Sequence, residues 1–178
     1  MKFWFLLFGL TALLARPVFS QVWMFQSGTV SFSIKNAGLR VNGSLGGLKA
    51  RVEFDPANPA RALIEGLVDV ATIETGIGLR DKHLKKEEYF YAEKHPQIVM
   101  RLVGLEGSGT SFSGSFSLQM KGVTKVVKLP VAFQTNATGA TLSSTFTLNR
   151  LDFGIGSSSW TLGDEVKVTV LFRLVKKA

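Results

Sequence analysis

The sequence predicts an all-β protein, an eight-stranded antiparallel β-barrel with one short helical insertion. Apolar and polar residues alternate with a period of two along eight short segments, which is the pattern of a strand with one buried face. Turn residues separate these segments by short connections, and short connections force antiparallel pairing. Eight such strands either stack as a sandwich or close into a barrel. Closure is favoured because it removes exposed strand edges.

The predicted strands follow one another along the chain at fairly even spacing. They cover residues 29–35, 48–54, 62–73, 98–105, 111–120, 124–133, 141–148 and 165–175. Asn42-Gly43 and Lys121-Gly122 are turn signals, and Asp55-Pro56 ends the second strand. Pro130 lies inside the sixth segment, so that strand is expected at an edge or a bulge.

The first residues have the composition of a secretory signal peptide. Lys2 precedes an apolar run over residues 3–15, and Val18-Phe19-Ser20 offers a cleavage site before Gln21. The run is shorter than the roughly 20 apolar residues that span a bilayer. We therefore expect a signal peptide at residues 1–20, one barrel domain at 21–178, and a periplasmic or secreted protein that does not span a membrane.

Composition narrows the classes of partner. The chain has no cysteine, so disulfides and thiolate metal sites are excluded and stability has to come from the core. Its formal net charge is +8, or +6 without Lys2 and Arg16. Export and the even spread of lysines argue against nucleic acid. Peripheral contact with an anionic membrane and homodimer formation both stay open.

A charge-dense segment at residues 72–100 interrupts the apolar pattern and contains both histidines. Residues 80–95 are predicted to form a helix, with Asp81 and Lys85 at a supporting spacing and with Leu84 and Tyr91 on one face. The helix is either a lid beside an opening or, as we favour from these residues alone, a solvated helix that closes the barrel end. His83 and His95 fit no metal-binding spacing, and no metal or cofactor is expected.

No catalytic motif is present: there is no nucleophile elbow, dinucleotide fingerprint or phosphate loop. Glu87 and Glu88 are adjacent, which places them about 100° apart on a helix and poorly for acid–base catalysis. A non-enzymatic protein is therefore predicted. The alternative is an envelope enzyme that acts on an apolar substrate with Asp81, His83 or Glu88 as acid and base. A basic interaction domain at the envelope is a third hypothesis.

Large apolar residues occupy the inward faces of the predicted strands. They are either a packed core or the lining of a hollow barrel, and periodicity does not separate the two. The candidate ligand-binding residues are Phe32, Phe54, Phe112, Phe116, Leu129, Phe133, Phe146 and Phe172.

Five motifs in order resemble the YceI family of lipocalin-like, polyisoprenoid-binding periplasmic proteins. The most specific is the charged segment, with Thr75-Gly76, then Arg80-Asp81-Lys82-His83-Leu84, Glu88-Tyr89-Phe90 and His95-Pro96. The others are Val41-Asn42-Gly43, Phe54-Asp55-Pro56, residues 120–125 and residues 149–154. The chain departs from the family pattern at Glu74 and Tyr91, where the family usually has Asp, and at Gln26-Ser27-Gly28.

The resemblance implies an apolar barrel channel that sequesters or carries a polyisoprenoid or another long-chain amphiphile, such as a quinone-like or polyprenyl lipid. The charged segment would then lie at the mouth. Its candidate lid residues are Arg80, Asp81, His83, Leu84, Tyr89, Phe90 and Tyr91. For Arg80, Asp81, Arg150 and Asp152, structural ion pairs are the favoured interpretation.

Overall fold

The computed structural model describes residues 21–177, which form an antiparallel β-barrel. The predicted signal peptide lies outside the described residues. The strands are β1 (Trp23–Asn36), β2 (Leu39–Leu45), β3 (Lys49–Phe54), β4 (Leu63–Asp69), β5 (Gln97–Ser108), β6 (Ser111–Met120), β7 (Val123–Thr135), β8 (Ala140–Asn149) and β9 (Leu162–Lys176). The helix α1 spans Gly78–Leu84, and 3-10 turns lie at Pro59–Arg61, Val70–Thr72 and Arg150–Phe153.

The nine strands occupy eight positions around the barrel. Neighbours pair in the order β2-β1-β3-β4-β5-β6-β7-β8-β9, and β1 also pairs with β9, which closes the sheet. β2 pairs with the second half of β1, whereas β3 pairs with its start. β2 and β3 are therefore one interrupted strand opposite β1. The predicted eight-stranded barrel is confirmed.

The predicted turn at Asn42-Gly43 is wrong. These residues lie inside β2, where Asn42 pairs with Ser33 and Gly43 with Phe32. The hairpin turns instead at Ala37-Gly38, where both residues have the positive φ that a two-residue hairpin of type I′ requires. Gly43 serves packing: a Cβ built there would lie 2.4 Å from Cζ of Phe32.

The predicted helix at residues 80–95 is also wrong in extent. Helix α1 ends at Leu84, and the following residues form successive turns up to Pro96. Tyr91 has a φ of 51°, which is incompatible with a continuing helix, and its carbonyl accepts hydrogen bonds from the amides of Lys94 and His95. Among the described residues, Asp81 and Lys85 form no salt bridge.

The barrel has two unlike halves. We call one end the closed end: it contains the start of β1 and the turn between β5 and β6. The opposite end is the open end, and it contains α1, the turn between β1 and β2 and the loop between β8 and β9. The half toward the closed end, the closed half, contains the main hydrophobic core, in which Trp23, Phe54, Phe112 and Phe133 are buried. The half toward the open end, the hollow half, contains a cavity.

β7 and β8 separate toward the open end. Only four residue pairs join them, between residues 132–135 and 140–143. Pro130 pairs with Ser113 of β6 but with no residue of β8, so its missing N–H costs no ladder hydrogen bond. This agrees with the edge position expected of it.

Candidate functional site

The hollow half encloses one apolar cavity that is partly open to solvent. About 180 Å³ of it is open to the centres of water molecules, which is far more than the roughly 10–15 Å³ that a single buried water needs. Most of its lining consists of aliphatic and aromatic side chains that project inward from the barrel strands. They include Val30, Phe32, Ile34, Val41, Leu45, Ile98, Met100, Leu118, Met120, Phe146, Leu148, Val166, Val168 and Phe172.

Several inward residues of this half are only partly buried, although they face the barrel interior. Val166 and Val168 of β9 are half-buried, whereas Phe172 and Leu174 farther along the same strand are buried in the core. All of them follow the same alternation. The change along β9 therefore reflects the unfilled space beside the two valines.

Polar lining residues are few and lie at the open end. Asn36 ends β1, and Thr75 and Arg80 belong to the segment between β4 and β5. Arg80 donates from Nε to Thr75 Oγ1 at 2.7 Å and from Nη2 to Thr75 O at 2.7 Å. The Asp81 carboxylate accepts hydrogen bonds from the amide and hydroxyl of Thr75. Within residues 21–177, Arg80 has no carboxylate partner, contrary to the favoured ion pairing of Arg80 and Asp81.

Arg150 is the one buried charged residue of residues 21–177 and lines the same end of the cavity. Its guanidinium donates to the carbonyls of Ile155 (2.8 Å), Ser157 (2.8 Å) and Gly163 (3.0 Å), and it pairs with Asp164 at 2.8 Å. Burial of a guanidinium is favourable only when its donors are satisfied in this way. Arg150 thus fixes the loop that leads from β8 to β9.

That loop completes the cavity wall where β7 and β8 separate. Phe153 and Ile155 are buried and line the cavity. Lys125 of β7 pairs with Asp152 at 3.0 Å, and Nζ of Lys121 donates to the carbonyl of Gly154 at 2.6 Å. These contacts join the loop to β7. The ion pairing favoured for Arg150 and Asp152 is confirmed, with Asp164 and Lys125 as the partners.

The structure divides the eight candidate ligand-binding residues into two groups. Phe32, Phe146 and Phe172 line the cavity. The other five do not line it and are buried against one another in the closed half: Phe54, Phe112, Phe116, Leu129 and Phe133. The Phe54 ring meets the rings of Phe112 and Phe133 edge-on at 5.3 and 5.0 Å between centroids. These five are corrected to core residues.

The candidate lid residues divide in the same way. Arg80, Leu84, Tyr89 and Phe90 line the cavity. Asp81 positions Thr75, as described above. The other two do not line the cavity: His83 is exposed and packs edge-on against Tyr89 at 5.1 Å, and Tyr91 packs against His95 at 6.0 Å.

The charged segment itself joins other parts of the open end. Glu74 exchanges backbone hydrogen bonds with Ser44 of β2, at 2.9 and 3.1 Å. The carbonyl of Glu88 accepts from the amide of Gly156 at 2.8 Å. The segment therefore crosses the end of the barrel and meets the β8–β9 loop, which is consistent with the position expected of it.

The three residues of the enzyme alternative do not form a catalytic group. Asp81 bonds Thr75, His83 contacts Tyr89, and Glu88 is exposed, with no hydrogen bond among the three side chains in the described part of the chain. Residues 21–177 also contain no cluster of three or more His, Asp or Glu side chains that could bind a metal ion. No helix within them has the length and apolar character needed to cross a bilayer.

Sequence reasoning missed most of the cavity lining. The alternation already placed Val166, Val168, Leu118 and Met120 on inward faces, but the selection of phenylalanines passed over them. Strand periodicity could not predict that residues 149–155 line the cavity, because they form a loop that is held against the barrel by its contacts with β7. Its motif was visible only as part of the family resemblance.

Comparison with known proteins identifies the domain. A family model, the YceI-like domain, matches residues 24–174. A UPF0312 protein of Pectobacterium atrosepticum is 30% identical over 105 residues, which are 58% of this chain and 55% of the relative. One of Photorhabdus laumondii is 29% identical over 105 residues, again 58% and 55%. The chain thus spans about half the length of the curated relatives it matches.

Solved structures share the fold at low identity. BcnA of Burkholderia cenocepacia superposes with a TM-score of 0.77 at 23% identity, over 82% of this chain and 95% of that one. A polyisoprenoid-binding domain from Saccharophagus degradans, implicated in plant cell wall breakdown, gives a TM-score of 0.66 at 14% identity, over 88% and 99%. A YceI protein of Campylobacter jejuni gives 0.69 at 23%, over 78% and 85%.

Proposed function

The chain belongs to the YceI-like family, and we propose that it is a non-enzymatic protein that binds a polyisoprenoid or similar long-chain amphiphile in the hollow half of its barrel. The observation that carries the proposal is the cavity: it is lined by aliphatic and aromatic side chains, with its few polar residues at one end. A structural neighbour described as polyisoprenoid-binding supports the same class of ligand.

The physical basis of recognition is burial of hydrocarbon. Each methylene removed from water contributes about 0.8 kcal/mol, so a tail of several isoprene units binds tightly without any catalytic group. Asn36, Thr75 and Arg80 offer polar groups at the open end, where the ligand's polar head would lie. Such a ligand is recognised by its width and apolarity, and the protein would sequester or carry it.

The test is to extract the purified protein with organic solvent and to identify the lipid fraction by mass spectrometry. We expect about one equivalent of a polyisoprenoid or other long-chain lipid. A Gly66→Leu variant should lose most of it, because a Cβ at Gly66 already lies 3.5 Å from Cζ of Phe172 and a longer side chain would enter the cavity.

Gly104→Leu is the matched control. It introduces the same side chain into the neighbouring strand β5, at an exposed site where an added Cβ meets nothing within 4 Å. The control should carry as much lipid as the original protein. The proposal fails if the original protein yields no stoichiometric lipid and also takes up none when incubated with polyprenyl or quinone lipids, or if Gly66→Leu binds as much as Gly104→Leu.

We also propose that the protein acts outside the cytoplasm, in the periplasm or after secretion. The support is the sequence of residues 1–20, with its apolar run between Lys2 and the site before Gln21. Cell fractionation with intact-mass measurement tests this. A protein that starts at Gln21 in the exported fraction is expected, and a cytoplasmic protein that retains Met1 and Lys2 would contradict it.

A further inference from the structure

Four large apolar side chains are exposed on three separate loops around the open end. Leu39 follows the β1–β2 turn and is 73% exposed, and Ile77 and Leu79 at the start of α1 are 54% and 82% exposed. Trp160, in the β8–β9 loop, is fully exposed. We call these four residues the apolar rim. Exposed apolar residues grouped at one end of a molecule are typical of a contact surface.

Each residue of the apolar rim lies close to the cavity. Leu39 pairs with the cavity residue Asn36 across the hairpin, and Leu79 precedes Arg80. Ile77 lies two residues after Thr75, and Trp160 lies two residues before Leu162. The three loops are also joined to one another.

The joining contacts are backbone hydrogen bonds. The amide of Ala37 donates to the carbonyl of Thr161 at 2.7 Å, which connects the β1–β2 turn with the loop of Trp160. Ser44 of β2 and Glu74 exchange two more, which connect β2 with the segment that leads to Ile77. The apolar rim therefore belongs to the same end of the barrel as the polar edge of the cavity.

Positive charge accompanies part of the apolar rim. Residues 77–86 carry four cations, Arg80, Lys82, Lys85 and Lys86, and a single carboxylate, that of Asp81, which already accepts hydrogen bonds from Thr75. The β1–β2 hairpin adds Lys35 and Arg40, which pair across its strands. Three glutamates follow, at positions 87, 88 and 93, so within the charged segment the excess of positive charge is confined to residues 77–86, beside Ile77 and Leu79.

We propose that the apolar rim docks the open end of the barrel on a phospholipid bilayer that contains anionic lipid. Tryptophan is enriched at membrane–water interfaces, and an exposed leucine or isoleucine gains free energy by leaving water for the acyl boundary. The cations beside Ile77 and Leu79 match anionic headgroups. The inference extends the proposed function, because a docked barrel would present its cavity to the layer from which an apolar ligand comes.

The test measures how the protein from the exported fraction binds to vesicles. The vesicles contain phosphatidylcholine and phosphatidylglycerol, with about one anionic lipid in three. Sedimentation gives the partition coefficient, and quenching by brominated lipid reports insertion of Trp160; Trp23, the other tryptophan of the described chain, is buried. Trp160→Ser and Leu79→Ser should each lower the partition coefficient roughly tenfold, since each removes a large apolar side chain from the contact.

Val103→Ser is the matched control. Val103 is 65% exposed, as the rim residues are, but lies midway along β5 on the barrel wall. It should bind vesicles within about twofold of the original protein, because the wall does not enter the bilayer. High salt should weaken binding without abolishing it, since salt screens only the charged part of the contact.

The inference is overturned if the original protein does not sediment with these vesicles. It is also overturned if Trp160→Ser and Leu79→Ser bind as well as Val103→Ser, or if all three variants weaken binding equally. Gly66→Leu separates docking from lipid storage, because its change lies inside the cavity. A Gly66→Leu protein should dock normally. If the protein docks through Trp160 but never carries lipid, the proposed lipid binding is contradicted and the proposed docking is supported.

Discussion

The closed and hollow halves of the barrel are built from the same strands, but only in the closed half do inward side chains fill the interior. On β6, Phe112 and Phe116 fill the closed half, and Leu118 and Met120 face the cavity or its wall. On β9, Phe172 is followed toward the open end by valines. An eight-stranded barrel has an interior that side chains can fill or that can hold one small ligand.

The difference shows how one sheet combines stability with binding. Edge-on aromatic contacts concentrate in the closed half, where Trp23 meets Phe133 at 5.8 Å and Phe54 meets both Phe112 and Phe133. Such contacts add to the free energy of burial. The hollow half lacks this filling, and it is held by the loops that cross its end. Matched substitutions in the two halves should therefore change the free energy of unfolding by different amounts.

The largest effect is expected from Phe54→Ala in the closed half. Phe54 is 0% exposed and its ring packs against two others. Its removal therefore leaves a cavity that the surrounding side chains cannot move in to fill, because the barrel is rigid. We expect a loss of about 3–5 kcal/mol in the free energy of unfolding, measured by urea denaturation.

Phe146→Ala is the matched change in the hollow half. The Phe146 ring is half-buried and lines the cavity, so fewer packed contacts are lost. A smaller cost, about 1 kcal/mol, is expected in the same urea experiment. Equal losses for Phe54→Ala and Phe146→Ala would show that the halves do not differ in packing.

The next effect is expected from Arg150→Lys, which tests whether the loops hold the hollow half. Lysine cannot reproduce the planar fork that reaches three carbonyls and Asp164. We expect a loss of about 2–3 kcal/mol in the free energy of unfolding, because buried acceptors lose charged donors.

Arg101→Lys provides the control for that change. Arg101 pairs with Glu65 at 2.7 Å, but its side chain is 57% exposed. An exposed ion pair contributes little, so this variant should stay within about 0.5 kcal/mol of the original protein. If Arg150→Lys were as mild as Arg101→Lys, the β8–β9 loop would not need the buried guanidinium.

Gly43→Ala is expected to cost about 1–2 kcal/mol, since the added methyl would overlap its neighbours. A Cβ at Gly43 would lie 2.4 Å from Cζ of Phe32 and 2.8 Å from the carbonyl oxygen of Glu74. The second neighbour is backbone and cannot turn away. Gly104→Ala, where the Cβ meets nothing within 4 Å, should not destabilise the protein in the same denaturation experiment.

Gly43 also shows why the position of a turn cannot be predicted from a local sequence motif alone. Asn42-Gly43 is a strong hairpin signal, yet the chain turns at Ala37-Gly38 and uses Gly43 to admit the Phe32 ring. The strands followed from alternation because each strand has one face inside, and closure was favoured because it removes exposed strand edges. The turn did not, since a glycine that permits a turn and one that permits close packing look alike in a sequence.

The cavity could be predicted only in part for a similar reason. Alternation identifies which residues face inward. Whether their side chains fill the interior depends on the combined volume of all inward side chains at the same level of the barrel. Phe54 and Phe146 have the same pattern in the sequence, and only the first meets other rings at its level. The predicted extent of the helix was also wrong: α1 ends at Leu84, and the positive φ of Tyr91, which excludes a helix through residue 91, cannot be inferred from charge spacing.

The smallest effect, and the one that separates the halves most directly, is expected from one added methylene. Val168→Ile places it in the cavity, where it displaces no side chain, so the free energy of unfolding should change by less than about 0.5 kcal/mol. Val131→Ile places it in the closed half, where Val131 is buried, and should cost about 1–3 kcal/mol through overpacking.

Urea denaturation of both variants gives the comparison, and lipid extraction of Val168→Ile gives its functional counterpart. The added methylene takes space that a ligand would otherwise fill, so the variant should keep its stability and lose part of its lipid. A destabilised Val168→Ile would mean that the hollow half is already packed around Val168. Unchanged lipid content would mean that the ligand does not reach this part of β9. The same added methylene is therefore expected to lower the free energy of unfolding in the closed half and to lower the amount of bound lipid in the hollow half.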